Sequence, residues 1–572
     1  MWRPHARRNP RALAVTAAAA IVVSGMIALV NATCLDLVVA SSNEKFDLLS
    51  DIAKTYPAPP VDRKCVVVKI IKKASGAAES ALARDWTDEA QPRPHVWSPA
   101  ARTWLLLLTQ HRKDAGLDDV VPGVAQSLMQ SPLVIAMPER MANAFSQTEG
   151  RIGWEQIFRI AQDREGWAKY GKTWGLFKLG KTNPTISTSG LHALISVNNV
   201  AQATAAPARD ELLRAVERSV VHYGDSVATF LSNLRIADER GDALGYVSAI
   251  AVEEKQVFDY NRGNPRSVIC DPTCPFLPPK EKLVALYPTE GTLVADHPYA
   301  VLTWTDDARR QAASDFERYL ESPEIQSRFQ AEGFRDYRRQ AGTVLKAPYF
   351  NPSGPKTRWE PPDPADLVEM LQHWSTVLRK PAHALFVIDV GSSMADPIPG
   401  TDRTKLDLAK RAAAAALDDL APKDTVGLWT LPTNDRSPYR EAAPLSTPAG
   451  DTSRLVRGLD LLRGSSDEVS LYSIVRASVD QVGSSFDPDR INAVVVLTGG
   501  GYAVVDKRSS DELIEFLLHQ PEDKRVRVFT IGYDSTTGSL LKRIAEASGG
   551  AFYDATDPVN IGELLRNAMS NF

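Results

Sequence analysis

The stretch His383–Met394, HALFVIDVGSSM, decides the fold of the region that contains it. Its first part, Ala384–Ile388, is an apolar run rich in β-branched and aromatic residues. A continuous apolar run that ends in a turn of small residues predicts a central strand of a parallel sheet, buried on both faces. Asp389 follows the run, and the small residues Gly391–Ser393 come next. A carboxylate and hydroxyls are therefore expected at the carboxyl end of the strand, where open α/β sheets bind ligands.

Predicted strands and helices alternate after this stretch. The predicted strands are Val426–Leu431, Ala493–Leu497 and Val526–Ile531, and the predicted helices are Lys405–Leu420, Leu455–Leu462, Ser470–Val482, Asp511–His519, Ser539–Ala547 and Val559–Met569. This alternation predicts an α/β fold in which a doubly wound parallel sheet has helices on both faces.

Five sequence blocks follow one another at domain-like spacing between Ala382 and Phe572. They read FVIDVGSSM, TKLDLAKRAA, VSLYSIVRA, VVVLTGGG and VFTIGYD. This series resembles a von Willebrand factor type A (VWA) domain over residues 382–572. The resemblance implies a Rossmann-like fold and a surface that binds a protein partner.

The same resemblance implies a divalent-cation site at the top of the sheet. The family's site combines an Asp-x-Ser-x-Ser turn, a Thr from a second loop and an Asp after a later strand, and such oxygen ligands suit Mg²⁺. Asp389 and Ser393 match this pattern. Gly391, Val469 and Gly499 stand where the family has a Ser, the Thr and the second Asp. The expected Mg²⁺ site is therefore degenerate.

Two interpretations of this degenerate site remain open. Asp467 and Glu468 lie beside the position of the missing Thr and are hypothetical substitute ligands. The alternative is that Asp389 and Ser393 hold the turn by hydrogen bonds, without a metal.

Length and composition are those of a multidomain globular protein. A chain of 572 residues is too long for one core and predicts two or three domains. Hydrophobic residues make up 44% and charged residues 24% of the chain, which is ordinary for globular proteins. The net charge of −4 gives no basic footprint, so no nucleic-acid partner is expected.

The amino-terminal residues carry signals for export. MWRPHARRNPR holds four arginines and no acid, and the uncharged run Ala12–Ala32 that follows is long enough to cross a bilayer. We interpret residues 1–33 as a cytoplasmic tail and a single transmembrane helix that anchors the chain in the cell membrane, with its bulk outside. A removed signal peptide, which would give a secreted protein, is one alternative. A lipoprotein attached through Cys34 is another.

The four cysteines are Cys34, Cys65, Cys270 and Cys274. An even number outside the membrane predicts disulfides. Cys34 and Cys65 each precede a mostly apolar run, Leu35–Ala40 and Val66–Ile71, and neighbouring parallel strands would bring the two cysteines within bonding distance. Cys270 and Cys274 would close a small loop. Zinc is the alternative, but the paired spacing of a zinc site is missing.

Hydroxyl residues recur in the long middle region where predicted strands give way to helices. The strand Leu35–Ala40 ends in Ser41 and Ser42, and a helix follows. PHVWSPAARTW places Ser98 in a loop, and NPTISTSGLHAL opens a helix at Ser189 and Gly190. Hydroxyls at such junctions lie beside free backbone N–H groups and suit an anionic or polar ligand, although plain helix capping explains each one alone.

These fragments, with the strands Ser131–Pro138 and Leu283–Pro288, resemble a bacterial extracellular solute-binding protein of the two-lobed, type II kind. The resemblance covers about Leu35–Asn351, and we assign residues 34–347 to this domain. It implies a ligand held between the lobes by loops from both. The residues that match the family's ligand loops are Ser41, Ser42, Ser98, Ser187, Thr188, Ser189, Gly190 and the hinge-side aromatic Tyr287.

The ligand class stays open in the sequence. Loops rich in hydroxyls at helix starts suit a small solute such as an oxyanion. A peptide or sugar would use aromatic platforms, and Trp97, Trp104, Trp154 and Trp174 are available. A further alternative is that the cleft is inert and the lobes act as a rigid stalk.

Residues 348–381 join the two regions. Pro348–Pro364 has six prolines and predicts a semi-rigid connector, and Asp366–Leu378 predicts a helix. The sequence has no Gly-x-Ser-x-Gly or His-Glu-x-x-His motif, so we predict no enzyme and no certain cofactor. The expected function is that of a membrane-anchored binding protein of the bacterial cell envelope. The alternative is a structural adaptor whose VWA domain alone binds a partner.

Overall fold

The computed structural model describes residues 34–87, 91–123, 125–205, 207–269, 276–417, 420–430, 439–448, 450–464, 471–500 and 507–572. The predicted anchor in residues 1–33, the pair Cys270 and Cys274, and residues 467–470 lie outside these ranges. Within the ranges, the helices are too short or too polar to span a membrane.

The strands of the described residues are, in chain order, β1 (Leu35–Ser41), β2 (Val66–Lys72), β3 (Val96–Ser98), β4 (Gln126–Ser127), β5 (Met129–Pro138), β6 (Leu179–Thr182), β7 (Val220–Gly224), β8 (Ala249–Glu253), β9 (Leu283–Leu286), β10 (Val294–Ala295), β11 (Pro298–Val301), β12 (Arg335–Asp336), β13 (Ala382–Ile388), β14 (Thr425–Thr430), β15 (Arg440–Pro448), β16 (Ile491–Thr498), β17 (Arg527–Gly532) and β18 (Phe552–Asp554).

The α-helices are α1 (Asn43–Thr55), α2 (Ser75–Ala83), α3 (Thr103–Asp114), α4 (Glu139–Glu149), α5 (Trp154–Gln162), α6 (Thr188–Ala201), α7 (Ala208–Arg218), α8 (Val227–Glu239), α9 (Ala243–Tyr246), α10 (Glu254–Asn261), α11 (Asp307–Leu320), α12 (Pro323–Ala331), α13 (Pro364–His373), α14 (Lys405–Leu417), α15 (Thr452–Asp460), α16 (Leu471–Ser484), α17 (Lys507–Leu518), α18 (Ser535–Ser548) and α19 (Ile561–Met569). Short 3₁₀ turns lie at Gly166–Tyr170, Ser392–Ala395, Glu522–Lys524 and Pro558–Asn560, and a π turn lies at Trp374–Leu378.

Lobe one is built on a five-stranded sheet in the order β2-β1-β3-β11-β4. β1 pairs in parallel with β2 and β3, so the starts of β1 and β2 lie side by side. Cys34 and Cys65 precede these two strands and form a disulfide with their Cα atoms 4.4 Å apart. The predicted bridge between these two cysteines is therefore confirmed.

Lobe two is built on a sheet in the order β10-β5-β8-β6-β7, with β9 and β12 also paired to β5. β5 is buried along its whole length, because helices and neighbouring strands cover both of its faces. The chain enters this lobe along β5, and β9 runs antiparallel to it.

The connector packs on the lobes. The backbone of Trp359 bonds to Thr292, and α13 buries Leu367 in the core of lobe one. Trp374 and Leu378, just after α13, are buried in the core of lobe two. The segment that the prolines predict as an extended spacer is therefore attached to both lobes along its length.

The C-terminal domain is a six-stranded sheet in the order β15-β14-β13-β16-β17-β18. β13, the strand of the HALFVIDVGSSM stretch, lies between β14 and β16 and pairs with both in parallel. Helices cover both faces of the sheet, and a separate apolar core lies between the sheet and the helices on each face. The predicted doubly wound sheet is confirmed, and β15 adds an antiparallel edge that the sequence pattern did not predict.

Candidate functional site

A cleft of about 110 Å³ lies between the two lobes. It lies where helices α1, α2, α6, α8 and α10 begin, and helix starts are places where backbone N–H groups lack intrahelical partners. Polar side chains line it from both sides: Ser42, Asn43, Glu44, Lys72 and Ser75 from lobe one, and Ser187, Thr188, Asp225, Ser226, Glu253, Gln256, Arg266 and Ser267 from lobe two.

A buried lysine organises the lobe-one wall of the cleft. The Lys45 ammonium donates to Ser42 Oγ at 2.5 Å and to the carbonyl oxygens of Ser98 and Pro99 at 2.9 and 3.0 Å. The Ser42 hydroxyl in turn donates to the Glu44 carboxylate. Burial lowers the pKa of Lys45 to about 8. The predicted ligand residue Ser42 lies in the cleft, and its hydroxyl bonds to both of these charged groups.

Ser41 and Ser98 lie behind this wall rather than in the cleft lining. Both are buried, and the Ser41 hydroxyl donates to the carbonyl oxygen of Ser42 at 3.1 Å. Ser98 is the last residue of β3 and not a loop residue as predicted, since it pairs with Ser41 in the sheet. The backbone N–H of Ser42 donates to its carbonyl oxygen, which ties the ends of β1 and β3 together. Within the described part of the chain, the Ser98 hydroxyl has no hydrogen-bond partner.

Two predicted residues of lobe two reach the cleft. Ser187 and Thr188 line it at the start of α6. Thr188 Oγ1 accepts a hydrogen bond from the Trp104 indole N–H of lobe one at 2.8 Å. The structure therefore places hydroxyls of both lobes around one small space and joins the lobes directly beside it.

The next two predicted residues of this loop face the interior of lobe two. The Ser189 hydroxyl lies 3.0 Å from Thr182 Oγ1. At Gly190, a Cβ atom would lie 2.3 Å from the carbonyl oxygen of Thr182, so only glycine allows α6 to approach β6 this closely. Ser189 and Gly190 fix the position of the loop without lining the cleft.

Tyr287 lies at the hinge rather than among the cleft residues. Its hydroxyl donates to Glu254, whose carboxylate pairs with Arg335 through two N–O contacts of 2.8 Å each. The Glu254 and Arg335 side chains are almost completely buried. This cluster ties β9, α10 and β12 together, so Tyr287 supports the hinge.

Sequence reasoning missed the charged floor of the cleft. Glu253 lines the cleft at the end of β8, and its Oε2 lies 3.9 Å from Nε2 of the buried His297. His297 Nδ1 lies 3.3 Å from the Lys45 ammonium. Burial and the nearby Glu44 raise the pKa of Glu253, whereas burial and Lys45 lower the pKa of His297. The acidic pair Glu253-Glu254 at the end of an apolar strand was the available signal.

Hydrogen bonds occupy the degenerate metal position of the C-terminal domain. Asp389 accepts from the backbone N–H of Gly391 at 2.7 Å, from the Thr498 hydroxyl at 2.8 Å and from the Gly499 N–H at 3.2 Å. The Ser393 hydroxyl donates to the carbonyl oxygen of Gly500 at 2.7 Å. Burial raises the pKa of Asp389.

These residues fit a bound Mg²⁺ poorly. Both carboxylate oxygens of Asp389 already accept hydrogen bonds, and a Cβ at Gly499 would lie 2.7 Å from Ser393 Oγ, so the turns leave no room there for an acidic side chain. Among the residues that the structure describes, no group of three or more His, Cys, Asp or Glu side chains is arranged to hold a metal.

The chain is similar to known proteins in its two-lobed region and in its C-terminal domain. Two uncharacterised proteins of Mycobacterium tuberculosis, from strains CDC 1551 / Oshkosh and ATCC 25618 / H37Rv, are 23% identical to the chain over 524 residues, which is 88% of this chain and 72% of each relative. A periplasmic thiamin-binding protein is similar in structure with a TM-score of 0.40 at 12% identity, over 59% of this chain and 93% of its own.

For the C-terminal part, a von Willebrand factor type A protein from Catenulispora acidiphila is similar with a TM-score of 0.29 at 18% identity, over 34% of this chain and 44% of its own. A sequence model of the family described as bacterial extracellular solute-binding protein matches residues 37–335. Because this match spans more than half of the 572 residues, the chain belongs to the bacterial extracellular solute-binding protein family.

Proposed function

We propose that the protein is a membrane-anchored, extracytoplasmic binding protein that captures a small polar solute between its two lobes and engages a protein partner through its VWA-like domain. Family membership supports the solute-binding role. The disulfide between Cys34 and Cys65 supports a location in an oxidising compartment. The basic residues 1–11 and the uncharged run after them support a single membrane anchor.

One observation carries the solute-binding role. Ser42 of lobe one and Ser187 and Thr188 of lobe two line the same cleft, at the starts of two helices. These hydroxyls and helix starts offer hydrogen-bond partners from both lobes to a solute held between them.

The cleft favours a small polar solute. Its volume of about 110 Å³ is below the roughly 300–1,000 Å³ of sites for drug-sized ligands. Acidic and basic side chains both line it, since Lys72 and Arg266 lie beside Glu44, Asp225 and Glu253, and the lining therefore offers partners to amino groups and to anions. The serine hydroxyls and helix starts suit an oxyanion, so small amines and oxyanions are the two solute classes to compare.

Thermal unfolding of residues 34–572 with sulfate, phosphate, amino acids and small amines tests this role. A solute at a hundred times its dissociation constant stabilises the native state by about 2.7 kcal/mol and raises the melting temperature. We expect Ser187→Trp, which fills the cleft, to abolish the shift. Ser453→Trp on the exposed face of α15 is the matched control and should keep it.

A structural adaptor with an inert cleft is the second candidate function. The Ser42 hydroxyl already bonds to Glu44 and Lys45, and the cleft is small. Both observations favour a cleft whose polar groups stabilise the contact between the lobes and bind no solute. Under this alternative no solute shifts the melting temperature, and only the C-terminal domain recovers a partner from cell-envelope extracts. In neither candidate does the protein make or break a covalent bond.

A further inference from the structure

The C-terminal domain docks on lobe two close to the cleft. The backbone N–H of Tyr223 donates to the carbonyl oxygen of Asn571, and the Asn183 side chain donates to the carbonyl oxygen of Ser570, both at 3.1 Å. Asn571 is completely buried in this contact. The end of α19 is therefore fixed to β7 and to the loop after β6.

The docked domain also holds a loop that lines the cleft. The side-chain oxygen of Asn571 accepts a hydrogen bond from the backbone N–H of Asp225 at 3.3 Å. The Asn571 side-chain N–H₂ donates to the Tyr553 hydroxyl at 2.9 Å, which orients the amide. Asp225 and the adjacent Ser226, at the start of α8, are cleft residues.

The same helix reaches lobe one on the other side of the cleft. Glu563 of α19 accepts a hydrogen bond from the Lys73 ammonium at 2.9 Å, and only 2% of the Lys73 side chain is exposed. The Lys73 backbone N–H donates to the carbonyl oxygen of Ser41, so this lysine lies where β1 and β2 end. A cavity of about 600 Å³ lies beside the ion pair, and residues of both lobes and of the C-terminal domain line it, Lys73 and Glu563 among them.

The lobes themselves touch through backbone atoms. The N–H of Gly76 in lobe one donates to the carbonyl oxygen of Ile186 in lobe two at 3.0 Å. A Cβ at residue 76 would lie 2.2 Å from the carbonyl oxygen of Thr185, so only a glycine allows this approach. Opening of the cleft breaks this bond, which makes the Gly76 amide a direct reporter of closure.

We propose that the C-terminal domain is a strut that holds the cleft closed, with Asn571 positioning the lobe-two loop at Asp225 and Glu563 fastening lobe one through Lys73. The inference rests on the proposed solute-binding role and adds a coupling to it. Because opening must separate the Lys73–Glu563 pair, a partner that pulls the C-terminal domain off the lobes weakens solute binding, and bound solute opposes that partner to the same extent.

Hydrogen-exchange mass spectrometry of residues 34–572 without any solute tests the strut. We expect Glu563→Gln to accelerate exchange at the Gly76 amide about tenfold, because the closed state loses a tie that the open state lacks. Glu563→Asp, which keeps the charge, should restore part of the protection. Exchange at Leu37 in the centre of β1 should not change, which separates opening of the cleft from unfolding of lobe one.

Two further measurements complete the test. Glu515→Gln removes an exposed glutamate that pairs with His519 inside the C-terminal domain, and it should leave Gly76 protected. The Tyr223 amide, bonded to the Asn571 backbone, should stay protected in Glu563→Gln if the domain remains docked. Unchanged exchange at Gly76 in Glu563→Gln, or equal acceleration in Glu515→Gln, overturns the proposal. Since no solute is present, this result does not depend on whether the cleft binds one.

Discussion

The side-chain oxygen of Asn571 accepts a hydrogen bond from the backbone N–H of Asp225, 346 residues earlier in the chain, at an N–O distance of 3.3 Å. Asp225 lines the cleft between the lobes, whereas Asn571 belongs to the C-terminal domain. The solute-binding-protein-like region and the C-terminal domain therefore meet at the wall of the cleft.

The buried hinge cluster predicts a large loss of stability in Glu254→Gln. Removing one charge of the pair leaves Arg335 buried without its partner, which costs about 3–5 kcal/mol. The substitution also weakens the hydrogen bond that Glu254 accepts from the Tyr287 hydroxyl. Urea denaturation of the full chain measures the free energy of unfolding.

Glu239→Gln is the control for this prediction. Glu239 pairs with Arg235 at 3.5 Å, but 60% of its side chain is exposed. The cost should stay below about 1 kcal/mol because solvent screens the pair. Similar losses in the two variants would contradict the role assigned to the hinge cluster.

Gly190→Ala should destabilise lobe two by about 1–3 kcal/mol, because its Cβ would overlap the Thr182 carbonyl oxygen at 2.3 Å. Gly483→Ala, in α16, is the matched control, since its Cβ would meet no atom within 4 Å. That change should be neutral or stabilise the chain by about 1 kcal/mol through helix propensity. Chemical denaturation measures both variants, and tolerance of Gly190→Ala would disprove the close packing of α6 on β6.

The buried His222 predicts a pH-dependent difference between His222→Gln and the wild type. Burial lowers the pKa of His222 to about 3, and the ring bonds to the Tyr223 carbonyl and to the Tyr246 hydroxyl. The unfolded chain takes up a proton near pH 6.5 and the folded chain does not, so this histidine costs stability as the pH falls below 6.5.

The variant should be less stable than the wild type at pH 7.5, because it loses ring contacts. The difference in the free energy of unfolding between the wild type and the variant should be about 2 kcal/mol smaller at pH 5. Each pH unit below 6.5 costs the wild type about 1.4 kcal/mol. His519→Gln is the control, because 78% of that side chain is exposed. Chemical denaturation at both pH values measures these free energies of unfolding. A difference between His222→Gln and the wild type that does not change with pH would contradict the prediction.

Titration of the full chain with MgCl₂ should give no saturable heat at millimolar metal. Both carboxylate oxygens of Asp389 accept hydrogen bonds, and Gly499 supplies no side-chain oxygen. Asp389→Asn should instead lower stability equally with and without Mg²⁺, because it disturbs the bonds to Gly391 and Thr498. A saturable heat that disappears in Asp389→Asn would restore the metal site, and residues 467–470 would then be the first candidates for further ligands.

Local pattern explains which parts of the fold were predictable. The strands β13 and β16 are continuous apolar runs buried on both faces, and their order and parallel pairing follow from the alternation with helices. β15 was missed because REAAPLSTP is polar and carries two prolines, which suits only an edge strand. β18 was missed because three residues are too few to show a period.

The residues of the site fall into two groups, those that could be predicted from the sequence and those that could not. Ser42, Ser187 and Thr188 match loops of the solute-binding-protein family and line the cleft. Ser41, Ser98 and Ser189 match the same loops but lie outside the lining, because a junction in the sequence does not show which way each hydroxyl faces. Lys45, Glu253 and His297 come from three distant segments, and only the folded chain brings them together. The bond between Asp225 and Asn571 has no local signature, so the contact of the C-terminal domain with the wall of the cleft could not be predicted from the sequence.

The most direct test of solute binding between the lobes is native mass spectrometry of residues 34–572 after incubation with the pooled anions, amino acids and amines. We predict one small adduct on the wild type, which Ser453→Trp keeps and Ser187→Trp loses. No adduct on the wild type, or the same adduct on Ser187→Trp, would contradict it.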